Sequence, residues 1–331
     1  MPTPVIEVSG LTKSYGSHHV LKGVSFEVPP GQIFAMLGPN GAGKTTTISI
    51  LTTLLRPDSG TVRVADTDVL AEPKQTRGSI SLTGQFASVD AFQTGRENLA
   101  MMCRLAHLSR RQAVQRSAEL LDQFGLTDAA NRRVAQYSGG MRRRLDLAIS
   151  LIAKPPVVFL DEPTTGLDPR SRVQLWSVVR DLAAEGTTIV LTTQYLDEAD
   201  QLADRIAVLD DGAIVAEGTT AELKSRISGQ HVEFTFDDAR SFELARSLTT
   251  PSSENAELFM LSLAAPAPMR EIQSMLALAT ENGFAVSDVS IVKPTLDDVF
   301  LALTEQSPLE LVTAWAPSPA LAPPDRRRSP I

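Results

Sequence analysis

The sequence predicts an α/β fold, with a large domain built on a parallel β-sheet and a small α+β domain after it. Three observations predict it. A glycine-rich loop lies between an apolar strand-like run and a helix-like run. Short apolar, partly β-branched runs then alternate with helical segments. The length of 331 residues suits one large and one small domain.

The first half of the large domain combines strands with a helical insert. Residues 5–8, 24–28 and 32–37 are apolar and predict strands, and residues 45–55 predict a helix that a turn around Pro57 ends. From residue 94 to 125 apolar side chains recur every three or four positions, which is typical of amphipathic helices. We therefore expect a helical subdomain at about residues 90–150 within a domain of residues 1–228.

Further strands complete the chain. In the large domain we expect them at residues 79–83, 157–160, 188–192 and 205–209. After Gly229 the pattern restarts, and three more strand-like runs, each followed by a helix-like run, predict a small α+β domain over residues 229–305; these runs are residues 231–236, 258–265 and 285–292.

The C-terminal residues 306–331 are rich in proline and show no periodicity, which predicts a disordered tail. Three consecutive arginines in the tail, residues 326–328, either keep it soluble or contact anionic lipid.

Composition limits the classes of function. The net charge of −8 argues against binding to nucleic acid, which requires a basic surface. Cys103 is the only cysteine, so no internal disulfide can form, and its methionine neighbours favour a buried core position. The four histidines lack the spacing of metal ligands. We find neither a signal peptide nor an apolar run of the ~20 residues that span a bilayer, so another chain would have to cross any membrane that this protein serves.

The glycine-rich loop predicts a phosphate-binding site. Its glycines let consecutive backbone N–H groups surround phosphate oxygens, and the following helix directs its positive N-terminal end at them. Lys44 would contact the β- and γ-phosphates of a nucleotide, and the Thr45 hydroxyl would bind Mg²⁺. A plain glycine-rich turn is the alternative, but a strand before the loop and a helix after it disfavour that interpretation. The predicted nucleotide-binding residues are Gly38, Pro39, Asn40, Gly41, Ala42, Gly43, Lys44, Thr45 and Thr46.

Two adjacent carboxylates follow the predicted strand at residues 157–160. A strand that ends on Asp161 and Glu162 places both acids beside the phosphates, where Asp161 would hold Mg²⁺ and Glu162 would act as general base toward the attacking water. The alternative is a solvated acidic turn, which the apolar strand leading into the acids disfavours.

A third segment precedes the acidic strand and opens a helical stretch. It consists of Ser138, Gly139 and Gly140 and is called the signature segment below. Together with the phosphate loop and the acidic pair, this order resembles that of the ATP-binding subunits of ABC transporters, over about residues 4–225. The resemblance implies an ABC-type P-loop NTPase fold and an ATPase that uses ATP and Mg²⁺. It also implies a homodimer docked on separate membrane permease subunits, at the cytoplasmic face of the cell membrane.

The resemblance also assigns roles to single residues. Tyr15 is similar to the aromatic residue that stacks on adenine, and Gln85 to the loop glutamine that reaches Mg²⁺ and contacts the transport subunit. Asp168 resembles the residue whose loop crosses the dimer boundary. In this family the signature segment of one chain caps the ATP that the partner's phosphate loop holds. Gln194 stands where most members have a histidine that contacts the γ-phosphate, which implies a working switch with slower hydrolysis or a surface position without function.

Within the family, the chain is most similar to the daunorubicin/doxorubicin resistance ATPases of actinobacterial drug exporters, at residues 83–85, 137–144, 191–195 and 294–300. The resemblance implies efflux of a hydrophobic drug or lipid-like molecule. A soluble ABC ATPase of DNA repair or translation is the alternative, and a third hypothesis makes the C-terminal domain a drug-binding or regulatory module. We interpret the three arginines at residues 142–144 as a solvated helix face, with contact to phosphates or to a partner subunit as the alternative.

Overall fold

The computed structural model describes residues 3–84, 89–225, 231–265, 267–292 and 294–305. Its β-strands are β1 (Ile6–Tyr15), β2 (His18–Val28), β3 (Ile33–Leu37), β4 (Ser59–Val64), β5 (Thr67–Asp68), β6 (Ile80–Thr83), β7 (Val157–Asp161), β8 (Thr188–Thr193), β9 (Arg205–Asp210), β10 (Ala213–Gly218), β11 (His231–Phe236), β12 (Ser253–Asn255), β13 (Met260–Ala264) and β14 (Val286–Val292). Its α-helices are α1 (Lys44–Leu51), α2 (Pro73–Ser79), α3 (Gly95–Leu105), α4 (Arg110–Gln123), α5 (Gly139–Ser150), α6 (Pro169–Ala184), α7 (Leu196–Leu202), α8 (Thr220–Ser225), α9 (Ala239–Leu248), α10 (Pro268–Asn282) and α11 (Leu296–Glu305).

A six-stranded sheet forms the centre of the molecule, in the order β10-β9-β3-β8-β7-β6. Its strands run parallel except β10, which is antiparallel to β9. Every residue of β3, β7 and β8 is buried, as expected for strands covered on both faces. The predicted parallel α/β sheet is confirmed. Its register pairs Leu37 with Thr193 and Asp161 with Thr192, so the carboxyl ends of three neighbouring strands meet at one edge.

A second, antiparallel sheet has the order β2-β1-β4-β5. The sequence analysis did not predict β4, although the buried Val62 and Val64 alternate with the exposed Thr61 and Arg63. The two sheets share one core, in which the ring of Phe26 on β2 stacks on the ring of Phe34 on β3, with centroids 5.0 Å apart. The second sheet is thereby held against the strand that leads into the phosphate loop.

The helices α3 and α4 of the helical insert both begin with capping residues. Thr94 accepts a hydrogen bond from the Glu97 N–H, and the Glu97 carboxylate accepts one from the Thr94 N–H. Ser109 and Gln112 form the same reciprocal arrangement at the start of α4. Such pairs satisfy backbone N–H groups that a helix leaves unpaired. Cys103 lies buried between these helices, as predicted.

The C-terminal part contains a four-stranded antiparallel sheet in the order β12-β13-β11-β14. α9 and α10 pack on it around a separate cluster that includes Phe234 and Phe242. α11 does not join this cluster. It packs on α7 and α8, where Leu296 and Val299 are buried in the core of the N-terminal part.

The predicted domain boundary at residue 228 and the predicted tail at residues 306–331 lie outside the described residues. In the parts of the chain that the structure describes, none of the helices has the combination of length and apolar character that crossing a membrane requires.

Candidate nucleotide-binding site

The phosphate loop connects the end of β3 to the start of α1. Gly41 and Gly43 have φ angles of 87° and 106°, in the left-handed region that favours glycine. A Cβ on Gly38 would lie 2.1 Å from the carbonyl oxygen of Leu209, so the loop also needs glycine for its close packing on β9. No side chain caps α1 within the described residues, since its N-cap is Gly43. The first N–H groups of α1 therefore offer donors to an anion.

Lys44 is buried at this loop. Its Nζ donates hydrogen bonds to the carbonyl oxygens of Gly38 and Pro39, at 2.7 and 2.9 Å. Burial lowers the pKa of Lys44, while the negative charges of Glu162 and Asp161 oppose that shift. The two acids thus favour the protonated ammonium that binding to phosphate requires.

The acidic pair lies at the end of β7, beside the loop. Asp161 Oδ1 accepts hydrogen bonds from Thr192 Oγ1 at 2.6 Å and from Thr45 Oγ1 at 3.1 Å. Glu162 has a φ of 47°, and its N–H donates to Thr192 Oγ1 at 3.0 Å. Its carboxylate accepts a hydrogen bond from Thr165 Oγ1 at 3.2 Å. The strand end therefore orients the two neighbouring carboxylates differently.

A cavity of about 340 Å³ lies at the loop. Seven of the predicted residues line it, namely Asn40, Gly41, Gly43, Lys44, Thr45, Thr46 and Glu162. His18 and Val20 of β2 line it as well, and the sequence analysis did not place them there. The pairing of His18 with Tyr15 across β1 and β2 brings the predicted adenine-stacking residue to the same hairpin end. Tyr15 is 53% exposed, so much of its side chain is accessible, and Lys13 Nζ lies 5.8 Å from its ring centroid.

The signature segment starts α5, and Ser138 Oγ accepts a hydrogen bond from the Met141 N–H at 3.2 Å. Gly140 lies against the start of α6, where a Cβ on it would be 2.3 Å from Ser171 Oγ. Ser171 in turn donates to the carboxylate of Asp168, the N-cap of α6, through its N–H at 3.0 Å and its hydroxyl at 2.7 Å. The structure thus groups the signature segment with Asp168, and neither lines the phosphate-loop cavity.

The predicted switch residue Gln194 follows β8 and is half-buried, and it does not line the cavity. The next residue, Tyr195, is held from two sides. Its N–H donates to Thr193 Oγ1 at 2.9 Å, and the Arg172 guanidinium lies 4.3 Å from its ring centroid. The predicted magnesium ligand Gln85 lies outside the described residues.

The prediction of a solvated arginine face is wrong for Arg143, whose exposure is only 7%. Arg142 is exposed, and Arg144 is half-buried with its Nη1 donating to the carbonyl oxygen of Phe124 at 2.9 Å. Arg143 instead bonds to backbone carbonyls beside the acidic pair. Three consecutive arginines in the sequence do not show this difference. Successive residues on a helix point about 100° apart, so one can be buried while its neighbours are not.

Comparison with known proteins agrees with this geometry. Residues 21–165 match the ABC transporter family. The chain is 50% identical over 308 residues to the daunorubicin/doxorubicin resistance ATP-binding protein DrrA of Streptomyces peucetius, covering 92% of this chain and 93% of that protein. It is 43% identical to the doxorubicin resistance ATP-binding protein DrrA of Mycobacterium tuberculosis strain H37Rv, covering 93% and 96%.

Among solved structures, the chain resembles the dimeric, post-hydrolysis state of the ATP-binding cassette MJ0796 bound to ADP and Pi. The TM-score is 0.59 at 26% identity, over 65% of this chain and 98% of that one. The predicted ABC-type P-loop fold and ATPase activity are confirmed, and the family favours a transporter subunit over a soluble ABC ATPase. The chain belongs to the ATP-binding subunits of ABC transporters and is homologous to those of drug-resistance exporters.

Proposed function

We propose that this ATPase is the energy-coupling subunit of an exporter that moves a hydrophobic drug or lipid-like molecule through separate membrane subunits. It would work as a peripheral protein at the cytoplasmic face of the cell membrane. The names of its relatives support the cargo class, since they are called resistance proteins for daunorubicin and doxorubicin. The observation that carries the proposal is the convergence of Lys44, Thr45 and Glu162 on one cavity, with Asp161 bonded to Thr45.

The oxygen donors at this cavity fit Mg²⁺, which prefers hydroxyl, carboxylate and phosphate oxygens. The Thr45 hydroxyl and an Asp161 carboxylate oxygen are 3.1 Å apart, so one ion can reach both. We propose these two residues, with Gln85, as its protein ligands. When bound, Mg²⁺ supplies positive charge that offsets the charge of the phosphate groups during hydrolysis.

The chain's own groups account for binding and for proton transfer. Lys44 exchanges its two carbonyl partners for the β- and γ-phosphate oxygens, while the N-terminal N–H groups of α1 bind the same phosphates. Tyr15 stacks on adenine. Glu162 accepts the proton of the attacking water at its carboxylate, an effect worth about 10²–10⁴ in rate. Gln194 donates an amide hydrogen bond to the γ-phosphate, although, unlike histidine, it carries no titratable proton.

A second copy of the chain completes the site. The signature segment and Asp168 lie together but apart from the cavity, which is the arrangement expected if they serve the ATP of a partner. Gly139 and Gly140 present backbone donors at the start of a 12-residue helix, where a γ-phosphate is favoured. Two ATP molecules would then each join the phosphate loop of one chain to the signature segment of the other. Their hydrolysis would let the dimer open.

Glu162→Gln tests this function. The amide keeps the size of the side chain but accepts no proton, so we expect ATP binding to persist and ATPase activity to fall by about 10²-fold or more. The variant should accumulate as an ATP-bound dimer in size-exclusion chromatography. Glu257→Gln, at an exposed position in the C-terminal part, is the matched control. Undiminished ATPase activity of Glu162→Gln would exclude Glu162 as the base.

The exporter role needs a test in the cell. We expect a host whose chromosomal copy carries Glu162→Gln to accumulate more daunorubicin than the wild-type host, measured by the fluorescence of the drug in the cells. Equal accumulation in the two hosts would argue against this class of cargo.

A further inference from the structure

Arg143 is a buried cation that the reaction chemistry proposed above does not use. It lies on α5, one turn after Gly140, and is 7% exposed. Its Nε donates to the carbonyl oxygen of Pro163 at 2.8 Å, its Nη2 to that of Asp161 at 3.3 Å, and its Nη1 to that of Gly84. Among the described residues, the carboxylate of Asp146, on the same helix, forms an ion pair with Arg143 at 3.7 Å from Nη1.

The three carbonyl groups belong to residues that directly precede or follow a predicted site residue. Asp161 and Pro163 are the two neighbours of Glu162, so Arg143 holds the backbone on both sides of it. Gly84 is the residue directly before Gln85. Because Glu162 itself has a left-handed φ of 47°, its backbone needs surrounding contacts to keep that conformation.

A guanidinium group suits this task and an ammonium group does not. The planar fork of arginine carries five N–H donors in fixed directions on three nitrogens, and each nitrogen of Arg143 bonds to a different carbonyl, whereas lysine has only one nitrogen. Burial lowers the pKa of Arg143, and Asp146, Asp161 and Glu198 oppose this shift. Arginine keeps its charge in proteins, so the three bonds remain charge-assisted.

We infer that Arg143 is a positioning residue for hydrolysis, which holds Glu162 and the start of the Gln85 loop in register with the helix of the signature segment. The inference rests on the proposed function. In a dimer of the proposed kind, α5 begins at the partner's ATP, while Glu162 and Gln85 serve the chain's own ATP. Arg143 then makes a mechanical connection between the two half-sites of one chain, so that contact with one ATP affects the position of the base at the other.

Arg143→Lys and Arg144→Lys form a matched pair of variants. Both remove a guanidinium that bonds to a backbone carbonyl, on the same helix and one residue apart, but the partner of Arg144 is Phe124 in the helical insert. We expect kcat of Arg143→Lys to fall by about tenfold to hundredfold, because small displacements of a catalytic group cost this much, with KM for ATP changed by less than about threefold. Arg144→Lys should keep kcat within about twofold of wild type.

Thermal unfolding of both variants separates positioning from stability. If loss of stability were the cause, the ATPase activity of the two variants would fall in proportion to the decrease in their melting temperatures. Asp146→Asn is a milder, nearly isosteric variant for the case that Arg143→Lys does not fold. It should also lower kcat without changing KM. Unchanged kcat in Arg143→Lys, or in Asp146→Asn if Arg143→Lys does not fold, would overturn the inference.

A double variant connects the effect to Glu162. In single-turnover hydrolysis, Arg143→Lys should lower the residual rate of Glu162→Gln by less than about twofold, because the group that it positions is already absent. If the two effects multiply, Arg143 does not act through Glu162 and the inference fails. Full activity of Glu162→Gln alone would instead refute the proposed base, and the comparison of Arg143→Lys with Arg144→Lys would still show whether Arg143 affects turnover.

Discussion

Gly140→Ala tests the contact between the signature segment and the start of α6. An added Cβ would lie 2.3 Å from Oγ and 2.6 Å from Cβ of Ser171. The serine has little freedom to move away, because both its N–H and its hydroxyl bond to the Asp168 carboxylate. The alanine must therefore separate α5 from α6 or break the cap of α6.

The expected magnitude follows from three contributions. Overpacking costs about 1–3 kcal/mol, and a weakened N-cap costs about 0.5–2 kcal/mol. Alanine in place of a helical glycine stabilises the helix by about 1 kcal/mol at most. We therefore expect Gly140→Ala to lower the free energy of unfolding by about 0.5–4 kcal/mol. Gly139→Ala is the control, since among the described residues its Cβ would meet only Leu167 Cδ2, at the ordinary contact distance of 3.8 Å, and should leave stability unchanged or slightly raised.

Thermal unfolding of the two variants measures this difference, at about 2–4 °C per kcal/mol for domains of about 150–250 residues. Ser171→Gly removes both atoms that the new Cβ would approach within 3 Å. In a double-mutant cycle, Gly140→Ala should therefore cost at least about 1 kcal/mol less when combined with Ser171→Gly than in the wild type. Equal melting temperatures for Gly140→Ala and Gly139→Ala, or the absence of coupling in the cycle, would refute this account of the contact.

Three further predictions concern single side chains. Lys44→Ala removes charge-assisted bonds to phosphate, so ATP affinity in a fluorescent-nucleotide titration should fall by about tenfold to hundredfold; exposed Lys74→Ala is the control, and wild-type affinity of Lys44→Ala would exclude the phosphate role. Gln194→His should preserve or raise kcat in a steady-state assay, since imidazole can donate the same hydrogen bond; complete loss of activity would show that the amide does something imidazole cannot. Burial raises the pKa of Glu198 above its usual 4.5. The stability contributed by its protonated form is full below pH 4.5 and is lost as the pH rises through the pKa of the folded state. Glu198→Gln should accordingly melt above wild type at pH 8 and nearer to it at pH 5 in thermal scans, and a constant difference would contradict the shift.

The sequence predicted the central sheet and the phosphate loop because their signals are local. Residues 32–37, the glycines after them and the apolar run before Asp161 each carry their pattern within about ten residues. The predicted helix at residues 45–55 instead ends at Leu51, since Thr53 adopts a left-handed φ of 67°. Threonine rarely takes this conformation, so nothing in the local pattern signals it.

Features that depend on distant segments were not predicted. Arg143 is buried because the strand end at residue 84 and the acidic turn at residue 163 meet beside α5, and no local pattern in the sequence reveals that meeting. His18 lines the cavity because β2 pairs with β1 and lies beside the phosphate loop. A helix-like run after residue 292 was predicted, but the packing of α11 on α7 and α8 rather than on the small sheet was not.

The burial of Cys103 has a practical consequence. It is the only thiol in the chain, it lies in the core of the helical insert, and burial raises its pKa. Alkylating reagents react with exposed thiolates, so the native protein should resist them. A cysteine introduced at a surface position would then be the single reactive one, and maleimide dyes or spin labels could be attached there without first replacing Cys103. Distances between two labelled copies could in this way report the opening and closing of the dimer.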